Sequence, residues 1–458
     1  MDRYDRQKRL WGASGQQGLR HAYVCVIGGA DGGLWCEVVK NLALSGVGAV
    51  RMISVGSTED SYERFFEPKE LRALNAEVSW TFCSWTSAEM AAEHWCGCSA
   101  LIVTAGAPGV VAEVTAMWRE RRTPMLLLAH CASVYGYVRL LSPETHCVIE
   151  AHPPHRIPEL QLYAGWKELD ELCERTSVSK LDSVDRQDVP FAILLRNVMR
   201  SPGKKPASRE EVRAALDKLY PSHHTGAHKE DLNFIEAVKY AHLALIPPDA
   251  VPSRVSEAWA MIPRDVEQVC DPLNKQFWVL MRALQQYFTV YRCMPLSGEL
   301  PDMESSTERY YELKECYEQK AKADRKRLAA FLPPAFQDDL IDTVCRNLRY
   351  LRVIRPSELS GSDEILSELR RLNTDSGMLL SVLLSIQYGI QELTNNLKEL
   401  EYLNNIKRFS GSNFYPTVAF VGGVLAQEAT KFLTHQYVPI ENTFVYDGLL
   451  NTTETFMF

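Results

Sequence analysis

The sequence predicts an α/β protein: a Rossmann-like, doubly wound sheet split by a large all-α insertion. Three observations carry this. Strand and helix signals alternate through residues 1–155, long helical patterns fill 156–408, and α/β character returns over 409–458. The two outer segments read as one split domain, with 156–408 as the helical insertion domain.

The N-terminus, Met-Asp-Arg-Tyr-Asp-Arg-Gln-Lys-Arg, is charged from its second residue and has no apolar signal core, which argues against secretion. Apolar runs follow at Tyr23–Ile27, Val50–Val55, Val78–Cys83, Leu101–Thr104 and Met125–Ala129. Thr86–Trp95 and Val110–Arg121 have helical period between them, the pattern of a parallel sheet. Tyr135–Leu141 and His146–Ile149 read as a hairpin-like pair around Ser-Pro-Glu-Thr.

In the insertion, Ser305–Leu332 reads as one helix, opened by a Ser-x-x-Glu box and basic in its second half, as the helix dipole favours. Gly377–Arg408 reads as another. Its apolar start, Gly377–Ile390, is shorter than the ~18 residues that span a bilayer and contains a glutamine, so it reads as a buried helix. Residues 201–208, 221–228 and 246–253 are rich in Pro, Gly, Ser and His and read as exposed connections. In the last segment Pro416 suits a first helical position, and Gly422, Gly423 and Ala426 suit close packing. Asn442–Leu450 and Thr452–Phe458 read as two strands that complete the first domain's sheet.

Composition excludes several roles. The chain has 50 basic and 58 acidic residues, net −8, which argues against a nucleic-acid or anionic-membrane surface. Twelve cysteines are scattered without a Cys-x-x-Cys pair, and Cys96-Gly-Cys98 is a poor zinc signature, so no metal is expected. Reduced core cysteines suit the cytoplasm or nucleus. His21, His94, His130 and His152 have no ligand spacing, and Cys131 and Cys147 lack a nearby His/Asp arrangement; all read as structural.

The stretch Gly28-Gly29-Ala30-Asp31-Gly32-Gly33 follows a strand and opens a helix, as a phosphate loop does. Its glycines miss the required offsets, because Ala30 stands two after Gly28 and Asp31 two after Gly29. Asp31 also sets a carboxylate where phosphate oxygens belong. The next strand ends in Ser54, Val55 and Gly56, with no ribose-binding acid before Glu59. Both signals fail together, and the loop reads as a retained fold without its nucleotide.

Tyr4–Gly12, the glycine loop, Cys36–Gly48 and Phe420–Phe432 resemble the adenylation domain of enzymes that activate ubiquitin-like modifiers, relatives of bacterial ThiF and MoeB. Gly136–Leu140, Ile149–Pro154, Phe277–Leu284, Leu300–Met303, Leu348–Arg355 and Asn442–Phe456 are similar to the non-catalytic regulatory subunits of the neddylation members. The resemblance implies a heterodimer whose catalytic subunit binds ATP and magnesium, adenylates the modifier and takes it as a thioester for a conjugating enzyme. Active members carry an acid after the fourth strand; that position falls near Gly106 here. It further implies that Arg6, in Tyr4-Asp5-Arg6-Gln7, reaches in trans into the partner's ATP site, with Tyr4, Leu10 and Trp11 at the interface. A guanidinium suits charge building on phosphate oxygens. Two bland readings stay open: Arg6 pairing with Asp2 or another surface carboxylate, and the apolar three packing in this chain's core. The small subunit of the SUMO-activating enzyme, a dinucleotide-dependent oxidoreductase and a self-sufficient adenylyltransferase are the alternatives.

Overall fold

The expected strands assemble into a single sheet at the two ends of the chain. In this computed structural model the described residues are 2–29, 33–55, 68–85, 95–104, 108–121, 124–176, 188–220, 232–334, 336–356, 362–390, 396–409 and 413–458. The strands are β1 (Tyr23–Gly29), β2 (Ala49–Val55), β3 (Ser79–Ser84), β4 (Ala100–Val103), β5 (Met125–Ala132) and β6 (Tyr135–Leu141). Two short strands, β7 (His146–Val148) and β8 (Arg352–Ile354), lie outside this sheet, and β9 (Thr443–Asp447) and β10 (Thr452–Phe456) close it. Among the described residues the order is β10-β9-β6-β5-β4-β1-β2-β3. β3, β2, β1, β4 and β5 run parallel, while β6 is antiparallel to both β5 and β9. The chain winds outward from β1 in both directions, which makes β1/β4 the switch point of a doubly wound sheet.

Among the described residues four helices accompany the first strands: α1 (Asp5–His21), α2 (Gly33–Ser45), α3 (Pro68–Leu74) and α4 (Pro108–Arg121). Alternation sorts the strand side chains between two faces. Val24, Val26, Ile102, Leu127 and Val138 share a core with Leu34, Val38 and Leu42 of α2 and with Val418, Val421 and Leu425 of the helix Tyr415–Thr434. On the other face Ile27, Val103 and Leu128 pack with Val111, Val114 and Trp118 of α4. Further along that face, Tyr135, Tyr137 and Val445 pack with Leu379, Leu380 and Leu383 of the helix Asp375–Tyr388.

Two compact units result, Met1–Val148 with Val269–Asn274 and Val353–Phe458, and Ile149–Gln268 with Lys275–Arg352. Residues 353–408, expected in the insertion, therefore cluster with the sheet. The reason is the buried apolar face of Asp375–Tyr388, which finds its partner in β5, β6 and β9. The second unit is helical and holds its own core, in which Phe191, Leu195, Leu313 and Tyr317 are buried. Tyr317 donates its hydroxyl to the Leu160 carbonyl at 2.8 Å, and Arg196 makes a two-pronged contact with Asp170 at 2.8 and 3.0 Å.

Two other expectations change. Tyr135–Leu141 pairs with β5 through a tight turn at Ser133 (φ 60°) and with β9, leaving no hairpin with His146–Val148. The long helix expected over Gly377–Arg408 is two, Asp375–Tyr388 and Leu397–Arg408. Gly389 takes a left-handed φ of 69° to end the first, and the Asn396 side chain caps the second. Residues 86–94 and 221–228 lie outside the described residues. Ser306 caps Thr307–Ala329, and Pro416 sits in the first turn of Tyr415–Thr434. Among the described residues no helix is long and apolar enough to cross a membrane.

Gly422 sets the spacing of α2 and the returning helix, since a Cβ there would sit 2.8 Å from Cβ of Glu37. Gly422→Val should cost about 1–3 kcal/mol through overpacking, read as a lower urea midpoint. An unchanged midpoint would mean that the pair is not held at this distance.

Candidate functional site

Ligands of open α/β sheets bind beyond the carboxyl ends of the strands, at the switch point. Here Gly28 at that edge is packed from the core side. β1 ends in Gly28 and Gly29, and a Cβ at Gly28 would overlap the indole of Trp35 from α2. The ring is buried, 3% exposed, in the core under α2. Across the switch point Thr104 closes the gap: its N–H and its hydroxyl both donate to the Ile27 carbonyl, at 2.9 and 3.3 Å. Ser54 and Val55 at the end of β2 are buried and bring no carboxylate. Asp31, Glu59 and Gly106 fall outside the described residues.

Arg6 lies in the first turn of α1, held by its neighbours. Tyr4 is 1% exposed; its hydroxyl accepts from Asn75 Nδ2 at 2.8 Å, and its ring fills the space that Gly46 (φ 85°) leaves by lacking a Cβ. Tyr4 is thus a core residue of this chain. Asp2 accepts the Tyr4 N–H and pairs with Lys8, while Asp5 pairs with Arg9 at 2.8 Å. The carboxylates beside Arg6 are taken. Arg6 itself is exposed and has no ion pair or hydrogen bond among the described residues. Leu10 is 57% exposed. Trp11 is half-buried at a kink made with Gly12 (φ 69°), and its indole N–H donates to Gln16 at 3.1 Å. The kink is tied to the far end of the chain, because Gln436 Nε2 donates to the Trp11 carbonyl at 2.7 Å.

A polar cluster that sequence spacing does not reveal lies near the opposite, amino edge of the sheet. His435 ends the helix Tyr415–Thr434 in a left-handed conformation (φ 54°). Its Nδ1 donates to the Cys147 carbonyl at 2.8 Å, and its Nε2 lies 3.3 Å from Oδ1 of Asp271. Asp271 also accepts the Asn274 N–H at 2.7 Å. Burial opposes charge on both groups, but the mutual ion pair outweighs it: His435 is held well above the usual histidine range and Asp271 well below the carboxylate range. His146 stacks on His435 with ring centroids 4.4 Å apart, and burial keeps it neutral. Burial also pushes the Cys147 thiol up, leaving it without nucleophilic character. Among the described residues no group of three or more ligating side chains is placed to hold a metal.

No family model matches the chain. Similarity to curated proteins runs end to end. The NEDD8-activating enzyme E1 regulatory subunit of Saccharomyces cerevisiae is 30% identical over all of both chains. The chain belongs to the NEDD8-activating enzyme E1 regulatory subunits. The Gallus gallus member is 27% identical, covering 99% of this chain and 97% of its own. In Arabidopsis thaliana the member AXL is 25% identical, over 98% of this chain and 97% of its own. This decides between the two modifier pathways weighed from the sequence in favour of neddylation. A solved Escherichia coli MccB structure, 17% identical over 40% of this chain and 57% of its own, reaches a TM-score of only 0.27, so the fold assignment rests on the sheet order.

The family name says "regulatory", and a regulatory subunit implies a catalytic partner. Of the residues the sequence singled out, the structure puts Arg6, Leu10 and Trp11 on α1 and Tyr4 at its N-cap, with Arg6 and Leu10 exposed and Tyr4 buried.

The His435–Asp271 pair makes a pH prediction. A raised histidine stabilises fully below its unfolded pKa near ~6.5, and this is lost as pH climbs through the raised folded value. The depressed aspartate stabilises above ~3.8 and fails as pH falls through its lowered value. His435→Gln should therefore cost most near about pH 5, with the gap to wild type narrowing above pH ~6.5. The cost should be about 2 kcal/mol, below that of a fully buried pair because Asp271 is 41% exposed. Urea midpoints from pH 4 to 9 check this, and a pH-independent gap would refute it.

Proposed function

We propose that this chain is the non-catalytic half of a heterodimeric NEDD8-activating enzyme. Its partner subunit binds ATP and magnesium, adenylates the modifier, receives it as a thioester and passes it to a conjugating enzyme. The observation that carries the reading is the end-to-end match to regulatory subunits. The absence of a carboxylate at the described end of β2 agrees with this.

In this reading Arg6 acts in trans at the partner's ATP site. Its exposure and its lack of an ion pair or hydrogen bond among the described residues, with Tyr4 anchoring the turn from inside, leave the guanidinium available for phosphate oxygens. Leu10 and the half-buried Trp11 would then meet the partner beside it. A second apolar stretch suits a subunit interface: Phe414, Tyr415, Leu449 and Leu450 are all more than half exposed. The complex works in the cytoplasm or nucleus, consistent with twelve cysteines that are all unpaired.

Arg6→Ala tests the trans role. The variant should co-purify with the catalytic subunit in equal amount, while the complex forms the modifier adenylate roughly a hundred-fold more slowly, the scale of one lost transition-state donor. Pyrophosphate exchange reads the rate. Normal exchange would remove Arg6 from the chemistry. Purification of the tagged chain tests the wider reading, with a stoichiometric ATP-binding partner expected and a solitary chain carrying nucleotide overturning it.

A further inference from the structure

We propose that the helical unit carries a docking groove for an acidic peptide segment with one apolar anchor residue. The proposal does not rest on the heterodimer reading. Two adjoining depressions make the groove. One is a cavity of about 380 Å³, whose wall includes the buried Met294, Pro295 and Leu348 and the exposed Pro247, Pro248 and Tyr291. The other is a trough along the helix Thr307–Ala329. Pro158, Ser297 and Arg346 line both, so the two are continuous.

The cavity selects an apolar group. Its size falls in the range of about 300–1,000 Å³ typical of ligand pockets. Polar groups of its wall are already bonded within the chain. Gln161 Nε2 donates to the Met294 carbonyl at 2.7 Å, and Glu159 pairs with Arg349 at 2.5 Å. The Tyr350 hydroxyl donates to the Ile157 carbonyl at 2.8 Å and accepts the Ile157 N–H at 2.7 Å. What these bonds leave uncovered is apolar surface, which gains from an apolar occupant. The wall is also held in a costly shape. Gln161 and Arg292 keep left-handed backbones, with φ of 47° and 53°, a strain in non-glycine residues that collects at ligand clamps.

The trough selects negative charge. Lys314, Lys322 and Arg325 recur at helical spacing along one face, and Arg156 and Arg346 line the trough with them. Fewer carboxylates answer these cations. Arg156 pairs with Glu299 at 2.9 Å and Lys314 with Glu318 at 3.9 Å, while Arg325 and Arg346 share Asp342. Lys322 is exposed and makes no ion pair or hydrogen bond among the described residues, and the same holds for Arg292 in the cavity wall. The surplus is positive in a chain of net −8, so the groove attracts what the protein as a whole repels. From Lys314 to Arg325 the helix runs roughly 16 Å at about 1.5 Å per residue. That is the reach of about five extended residues, which suits a peptide better than a single small ion. So small a surplus falls short of nucleic acid, whose binding rests on neutralising many phosphates.

Fluorescence polarisation with the full chain tests it. The probe is a labelled peptide, Glu-Glu-Ser-Phe-Ser-Glu-Glu, whose acids flank the anchor so that either chain direction serves. Wild type should bind it saturably, and more weakly as salt rises. Replacing the peptide's Phe by Ser, or its Glu residues by Lys, should each weaken binding roughly ten-fold or more. Lys322→Glu should weaken it about five-fold and flatten the salt dependence. Ala164→Trp, at an exposed residue of the cavity wall, should fill the cavity and abolish binding. Both variants should keep the wild-type urea midpoint, since both positions are exposed. No saturable binding by wild type, equal affinity for the Ser peptide, or unchanged binding by either variant overturns the groove. Displacement of the peptide by a single-stranded oligothymidylate overturns it too, by making the trough a nucleic-acid surface.

Discussion

The sheet of this protein is completed only when the two ends of the chain meet. The contact that achieves this is the close pairing of α2 with the helix Tyr415–Thr434. Gly422 lets the two backbones approach beside Glu37, and the Glu37 carboxylate is bound there by Lys40 at 2.5 Å and by the Tyr415 hydroxyl at 2.6 Å. Gly18 of α1 makes a second close approach, to the Leu433 carbonyl. Closing so long a loop carries an entropic cost that grows only slowly with its length. Burial of Val418, Val421, Leu425, Ala429 and Phe432 in the core of the first strands offsets it. With that helix in place β9 finds β6, and the segment Asp375–Tyr388 finds the opposite face.

The same packing holds the strand-to-helix turn at the end of β1. A phosphate loop keeps an open crevice, and its strand-to-helix turn owes part of its stability to the bound anion. Here Trp35 covers Gly28, and Thr104 donates twice to Ile27 across the switch point. These contacts depend on nothing but the chain itself. Function in such an architecture has to be argued from its individual sites.

Most of the sheet was legible in the sequence because β1, β2, β4 and β5 are buried on both faces and read as continuous apolar runs. The loop's broken glycine spacing was equally plain. Other features were not, for physical reasons. Gly389 stops a helix that periodicity alone would carry through, because a left-handed φ is a property of one backbone position. The segment 353–408 has the composition of the insertion but an apolar face that fits the sheet. The sequence leaves Tyr4 open between interface and core, and Asn75, far along the chain, decides it by supplying a buried hydrogen bond. His435 and Asp271 meet only through tertiary folding, so no local spacing marks them.

Arg139 belongs to this last group, because its burial under the helix Asp375–Tyr388 is a tertiary fact that Gly-Tyr-Val-Arg-Leu does not announce. How the chain treats its other buried charges gives that burial its meaning. Asp324, fully buried, has Lys320 at 2.5 Å; Glu399 has Arg370 at 3.3 Å; Glu428 has Lys431 at 2.5 Å and the Ile440 N–H at 2.7 Å. Arg196 has Asp170 and two carbonyls. The partners come from one turn away on the same helix or from a neighbouring element, so this sequence readily places a counter-charge where a charge goes inside. On the sheet the pattern differs: Arg139 has no ion pair among the described residues, and buried Asp447 is met by the backbone N–H groups of Leu449 and Leu450 instead of a cation.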